Sequence, residues 1–172
     1  MSLDNLIKGS SSGVARFLRH AKELGYNPVI PDNEKARDAW TMVYGVGEET
    51  YMLVYAVDAG EKKYPTQGTI RKITRLKGDF DRKELLEQGR KNVGNEMSTG
   101  EMSPFVSEHF DIRKLHIIID QACIENNEMA RFPTGEGIYF AMGLKDVLQA
   151  LQILYGKEKA ETWHLFNNNS RQ

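Results

Sequence analysis

The chain has one cysteine, Cys123. A single thiol closes no internal disulfide, so cross-links are excluded as a source of stability, and a reducing, cytoplasmic setting is expected. No stretch approaches roughly 18 consecutive apolar residues, so no membrane span and no membrane partner are expected. The opening Met1-Ser2-Leu3-Asp4-Asn5 carries an early acid and no apolar run, unlike a secretory leader. Charge of one sign is also lacking, because the net charge is −1. No Gly-x-Ser-x-Gly turn is present, so an activated serine has no local signature. What remains is 40% hydrophobic and 27% charged, the balance of a folded globular chain. At 172 residues it is long enough to hide roughly 70% of its unfolded surface.

Apolar periodicity predicts a mixed α+β fold in one domain, residues 1–172. Val14, Phe17, Leu18, Ala21 and Leu24 form a helical stripe over 12–24, with Ser11 or Ser12 as cap and Gly25 as stop. Asp32 to Asp38 suits a short helical turn. Trp40 to Val46 and Tyr51 to Val57 are rich in aromatic and β-branched residues and predict a β-hairpin around Gly47-Glu48-Glu49-Thr50. Both strands are apolar on alternate positions of both kinds, so both faces should be covered. Thr69 to Leu76 is expected to add a third strand and complete an antiparallel meander. The sheet is thus about three strands, residues 40–76, packed against the N-terminal helix and C-terminal helices.

Asp81 and Glu84 have capping-box-like spacing and predict a helix from Asp81 that fades near Gly89. Residues 92–103 have no usable period and are expected to form a mobile loop. Residues 112–123 suit either a helix, from Ile112, Leu115, Ile119, Ala122 and Cys123, or a strand through Lys114 to Asp120. Gly137 to Ala141 suits a short strand after a Pro133-Thr134-Gly135 turn. Leu144, Val147, Leu148, Leu151 and Leu154 make a regular helix ended by Gly156, followed by an amphipathic tail holding Trp163, Leu165 and Phe166. The C-terminus from Asn167 should fray.

Charge is unevenly distributed. Residues 62–91 hold ten basic side chains (Lys62, Lys63, Arg71, Lys72, Arg75, Lys77, Arg82, Lys83, Arg90 and Lys91) against Asp79, Asp81, Glu84 and Glu87, a balance of +6. The rest of the chain is −7. Clustered lysine and arginine neutralise phosphates and release counterions, which favours nucleic acid or another polyanion. On a strand, Arg71, Arg75 and Lys77 would share one face and Lys72 would point away. The expectation is a non-enzymatic accessory or regulatory protein that meets its polyanion through Lys62, Lys63, Arg71, Arg75 and Lys77, without cofactor or metal. The bland alternative is a set of solvated edge residues.

Other patterns point elsewhere. Gly9-Ser10-Ser11-Ser12-Gly13 before a helix could cradle a phosphate, but no Gly-Lys-Ser/Thr ending makes it a P-loop. His109 and His116, with Asp120, lack a further ligand at metal spacing. Cys123, on an apolar face, suits packing better than nucleophilic chemistry. Pro31-Asp32 followed by Glu61-Lys62-Lys63 resembles the Pro-Asp … Glu-x-Lys nucleases, which would use Asp32, Asp58 and Glu61 around Mg²⁺. Gly60 displaces Glu61 from the strand, and Asp58 has no lysine two positions on. Gly135-Glu136-Gly137-Ile138-Tyr139-Phe140-Ala141 resembles a segment of the poly-ADP-ribose-polymerase-like transferases, which implies NAD near Tyr139. The histidine-glycine pair of that family is absent at His116-Ile117. A small enzyme of phosphate or nucleotide chemistry therefore stands as one rival reading. A protein-binding or self-assembling module, held by the aromatic hairpin or the leucine helix, is another.

Overall fold

The sheet grows outward from a tight hairpin. In the computed structural model, which describes residues 1–31, 36–94, 97, 101–135 and 137–166, β1 (Arg37–Val46) pairs antiparallel with β2 (Glu49–Val57) from Asp38↔Val57 to Val46↔Glu49. Only Gly47 and Glu48 remain for the turn. Gly47 takes φ +59° at the first turn position, where a two-residue hairpin compatible with strand twist calls for glycine. Arg37 and Asp38 are therefore strand residues and not part of a helical turn; Asp32 lies outside the described residues.

Four more strands extend this hairpin. β3 (Leu115–Asp120) and β6 (Ala160–Trp163) lie beyond β2; β4 (Met129–Pro133) and β5 (Tyr139–Gly143) lie beyond β1. The order is β5-β4-β1-β2-β3-β6. β1/β4, β2/β3 and β3/β6 run parallel, and β4/β5 is antiparallel. The mixed α and β class thus holds, but the sheet has twice the expected strands and is no meander. The strand reading of Lys114 to Asp120 is the one realised. Leu115, Ile117 and Ile119 point to one side and Ile118 to the other, so that run is apolar because both faces are covered.

The expected third strand is a helix. α3 (Gln67–Thr74) begins at Thr66, whose hydroxyl accepts from the Thr69 amide. Ile70 and Ile73 then fall three apart on the sheet-facing side, and Thr74 returns its hydroxyl to the Ile70 carbonyl. Tertiary burial of that face overrides the strand preference of the isoleucine and threonine residues. α4 (Arg82–Val93) starts as expected at Asp81, whose carboxylate accepts from the Lys83 amide, but runs past Gly89. Gly89 lies against β1, where an added Cβ would sit 2.3 Å from the Val43 carbonyl oxygen.

α3 and α4 cover one face of the sheet through Ile70, Ile73, Leu85 and Leu86, above Tyr44, Leu53, Tyr55 and Ile118. The opposite face is covered by α1 (Leu3–Gly9), α2 (Ser12–Glu23), α5 (Gln121–Glu125) and α6 (Leu144–Tyr155). Its core includes an aromatic group in which Phe17–Phe105 and Phe105–Phe132 centroids lie 4.2 and 5.0 Å apart. Ser11 occupies the α2 N-cap position without a side-chain cap bond. Within the expected loop at 92–103, Met97 and Met102 pack on the core and Ser103 is buried; residues 95, 96 and 98–100 lie outside the described residues, as do 167–172. No helix among the described residues is long and apolar enough to cross a membrane.

Candidate functional site

The cations singled out in the sequence all belong to the α3–α4 layer and the segment leading into it. Arg71 lies in the last turn of α3, and Arg75 caps it in a left-handed conformation, φ 62°. The Arg75 amide closes that end by donating to the Arg71 carbonyl oxygen at 2.7 Å. Lys72, placed on the far side by the strand assumption, is an exposed helical neighbour of both. Lys62 and Lys77 are also exposed, on either side of α3 in sequence.

Two of the five expected contacts have structural work of their own. Arg71 donates to the Gly78 carbonyl at 2.9 Å and lies 5.3 Å from the Phe80 ring centroid, which ties the α3–α4 connection together. The Lys63 ammonium lies 4.3 Å from the Phe166 ring centroid, while its carbonyl accepts from the Tyr55 hydroxyl. Arg82 similarly donates to the Pro65 carbonyl.

None of the ten cations of residues 62–91 belongs to an ion pair among the described residues. The ion pairs among the described residues lie elsewhere. Arg37 is the densest example, bonding Asp58 and Glu128 at 2.9 Å each and Glu61 at 3.6 Å. Several acids from the remainder of the chain, Asp4, Asp38, Glu49, Asp58, Glu61 and Glu128 among them, pair with cations outside the α3–α4 layer.

The other sequence patterns resolve into structure. Arg37 holds Asp58 and Glu61, the carboxylates of the nuclease-like reading, and Glu61 also accepts from the Asp58 amide at 2.8 Å. No group of three or more His, Cys, Asp or Glu suited to a metal occurs among the described residues. His116 and Tyr139 lie on β3 and β5 with β4, β1 and β2 between them, so His116 does not stand beside the transferase-like segment. His116 instead stacks on Tyr51 at 4.5 Å, with its Nε2 2.6 Å from Glu49 Oε1. Asp120 accepts from the Leu165 amide. In the serine-rich segment, the Ser11 amide donates to the Thr134 carbonyl at 2.8 Å, and Gly13 lets α2 approach the Phe105 backbone. Cys123 is buried, which pushes its thiol up to about 12. Tyr44 and Tyr55 are core residues, and burial raises both hydroxyls, that of Tyr44 to about 12.

No family model matches the chain. No curated protein matches it either. Solved structures do share its fold. One, described as hypothetical protein APE2540, aligns with a TM-score of 0.55 at 10% identity, over 87% of this chain and 97% of its own. Another comes from work on grafting epitope backbones onto scaffold proteins by computational design; it aligns with a TM-score of 0.54 at 13% identity, over 90% of this chain and 97% of its own. At these identities the likeness concerns architecture alone.

The sequence missed Lys72 because side-chain direction depends on the period. With 3.6 residues per turn, position 75 follows 72 by three and 71 by four and neighbours both, whereas on a strand 72 opposes 71 and 75. The usable signal was Thr66 with Thr69 just after Pro65, a helix-start pattern.

Proposed function

We propose that this protein binds an extended polyanion, a nucleic acid in the first instance, across the outer surface of α3 and its flanking segments. The observation that carries this reading is the absence of ion pairs for all ten cations in the layer among the described residues, while carboxylates elsewhere are engaged by other cations. Lys62, Lys72, Arg75 and Lys77, exposed and without an ion pair among the described residues, are the main contacts; Lys63 and Arg71 add charge while holding the layer's own structure. The role is that of an accessory or regulatory binder, because contacts to phosphates position a partner without supplying chemistry.

The reading is tested by fluorescence anisotropy on labelled single-stranded and duplex oligonucleotides, with polyphosphate as a non-nucleic competitor. Log affinity should fall linearly with log salt, by about 0.7–0.9 per phosphate contact. The triple variant Lys72→Gln, Arg75→Asn, Lys77→Gln should lower both affinity and slope; asparagine tolerates the left-handed backbone at 75. Salt-independent binding, or a triple variant with an unchanged slope, refutes the proposal. Equal displacement by polyphosphate would assign the surface to polyanions generally.

A further inference from the structure

The sheet opens between β4 and β1. β1 and β4 pair as parallel strands only at Arg37↔Ala130 and Asp38↔Arg131. From Ala39 onward β1 has β2 along one edge and, among the described residues, no strand along the other. A strand left in this way presents backbone donors and acceptors that need partners. A cleft of about 480 Å³ occupies the opening, a size suited to a small ligand and too small for a folded partner.

The cleft has an apolar body and one uncompensated charge. Trp40 and Met42 of β1, with Leu86 of α4, form an apolar wall, and Pro133 and Tyr139 contribute from the β4–β5 side. Asp38 and Arg131 neutralise each other; Arg131 Nε lies 3.1 Å from the Asp38 carboxylate, and the guanidinium sits 5.7 Å from the Tyr139 ring centroid. Arg90, exposed on α4, is the remaining charged residue of the lining, and no carboxylate among the described residues pairs with it. Thr41 also lines the cleft. It is 8% exposed, and its buried hydroxyl has no hydrogen-bond partner among the described residues. A buried polar atom without a partner is uncommon and calls for an explanation.

We propose that this cleft binds a small organic acid, with its carboxylate at Arg90 and an aromatic or acyl body against Trp40, Met42 and Leu86. Because the Asp38–Arg131 pair is internally balanced, Arg90 sets the sign of the ligand. Apolar walls with few polar groups hold such a molecule by its body and orient it by its head. The open β1 edge offers hydrogen bonds to a polar group nearer the centre. The site uses none of Lys62, Lys72, Arg75 or Lys77, so it stands or falls separately from the α3 surface.

Trp40 is itself the reporter. The chain has two tryptophans, and Trp163→Phe on β6, at the far edge of the sheet, leaves Trp40 alone. This protein is titrated with 3-phenylpropanoate and octanoate, and in parallel with 3-phenylpropanol and octanol. The acids should shift Trp40 emission saturably and bind at least about tenfold more tightly than the matching alcohols, the worth of one hydrogen bond to a charged group. Arg90→Gln should abolish that margin while leaving alcohol binding unchanged. The triple α3 variant should bind the acids normally. Equal affinity for acids and alcohols, full acid affinity in Arg90→Gln, or no saturation by about 1 mM acid overturns the proposal.

Discussion

Gly89 offers a test of how α4 is seated, because two effects of the same substitution oppose each other there. Alanine in the middle of a helix is favoured over glycine by about 1 kcal/mol. At Gly89, however, the new Cβ would lie 2.3 Å from the Val43 carbonyl oxygen and 2.7 Å from its carbon. Ordinary contact begins near 3.4 Å, so α4 must lift by about 1 Å. The obstacle is strand backbone and cannot rotate aside. Gly45, two residues along β1, leaves no slack, since its own missing Cβ would stand 2.6 Å from the Gly89 amide nitrogen. Overpacking of this kind costs about 3 kcal/mol at the upper end of its usual range, which leaves a net loss of about 2 kcal/mol. For a domain of this length that lowers Tm by about 4–8 °C. Gly68→Ala is the control. It is also helical, but its Cβ would meet nothing closer than Thr66 Oγ1 at 3.7 Å, so the propensity gain stands and Tm should rise slightly. Differential scanning calorimetry of both variants decides the matter. If Gly89→Ala matches or exceeds the control in Tm, the close seating of α4 on β1 is wrong, and with it the placement of Leu86 and Arg90 on the cleft.

Two further expectations concern titratable groups. The Glu49 carboxyl lies below its usual range, first because His116 hydrogen-bonds to it and also because Lys114 is near. A carboxyl lowered on folding contributes stability above its unfolded pKa and loses it as pH falls through the folded value. Urea midpoints should therefore show Glu49→Gln less stable than the parent near neutrality, with the gap closing as pH drops below about 4; a pH-independent gap would contradict the assignment. The Cys123 thiol, raised to about 12 by burial, should resist iodoacetamide in the native protein at pH 8 and react once urea unfolds the chain. Rapid native alkylation would show that the α5 region opens far more readily than its packing implies.

Local chemistry was legible wherever it depended on near neighbours. The stripe of Val14, Phe17, Leu18 and Ala21 became α2, the Asp81 cap started α4, and Leu144 to Leu154 became α6. The hairpin followed from its aromatic alternation and a glycine at the turn. Residues 69–76 misled because isoleucine and threonine favour strands in isolation; the Thr66 cap and the packing of Ile70 and Ile73 in one cluster with Tyr55 and Leu53 select the helix.

What the sequence by itself determined is therefore a mixed α and β chain, its local starts and stops, and a cationic stretch of known composition. Strand order and direction were left to the tertiary structure, because parallel pairing joins segments whose own sequences carry no mark of one another: β1 meets β4 across about ninety positions of chain. That pairing, and its ending after Asp38, makes the cleft, and folding gathers Asp58, Glu61 and Glu128 around Arg37 while the α3 cations have no ion pair among the described residues. Charge count is a property of the string. Whether charges are spent internally or left facing solvent depends on which distant residues folding brings within a few ångströms.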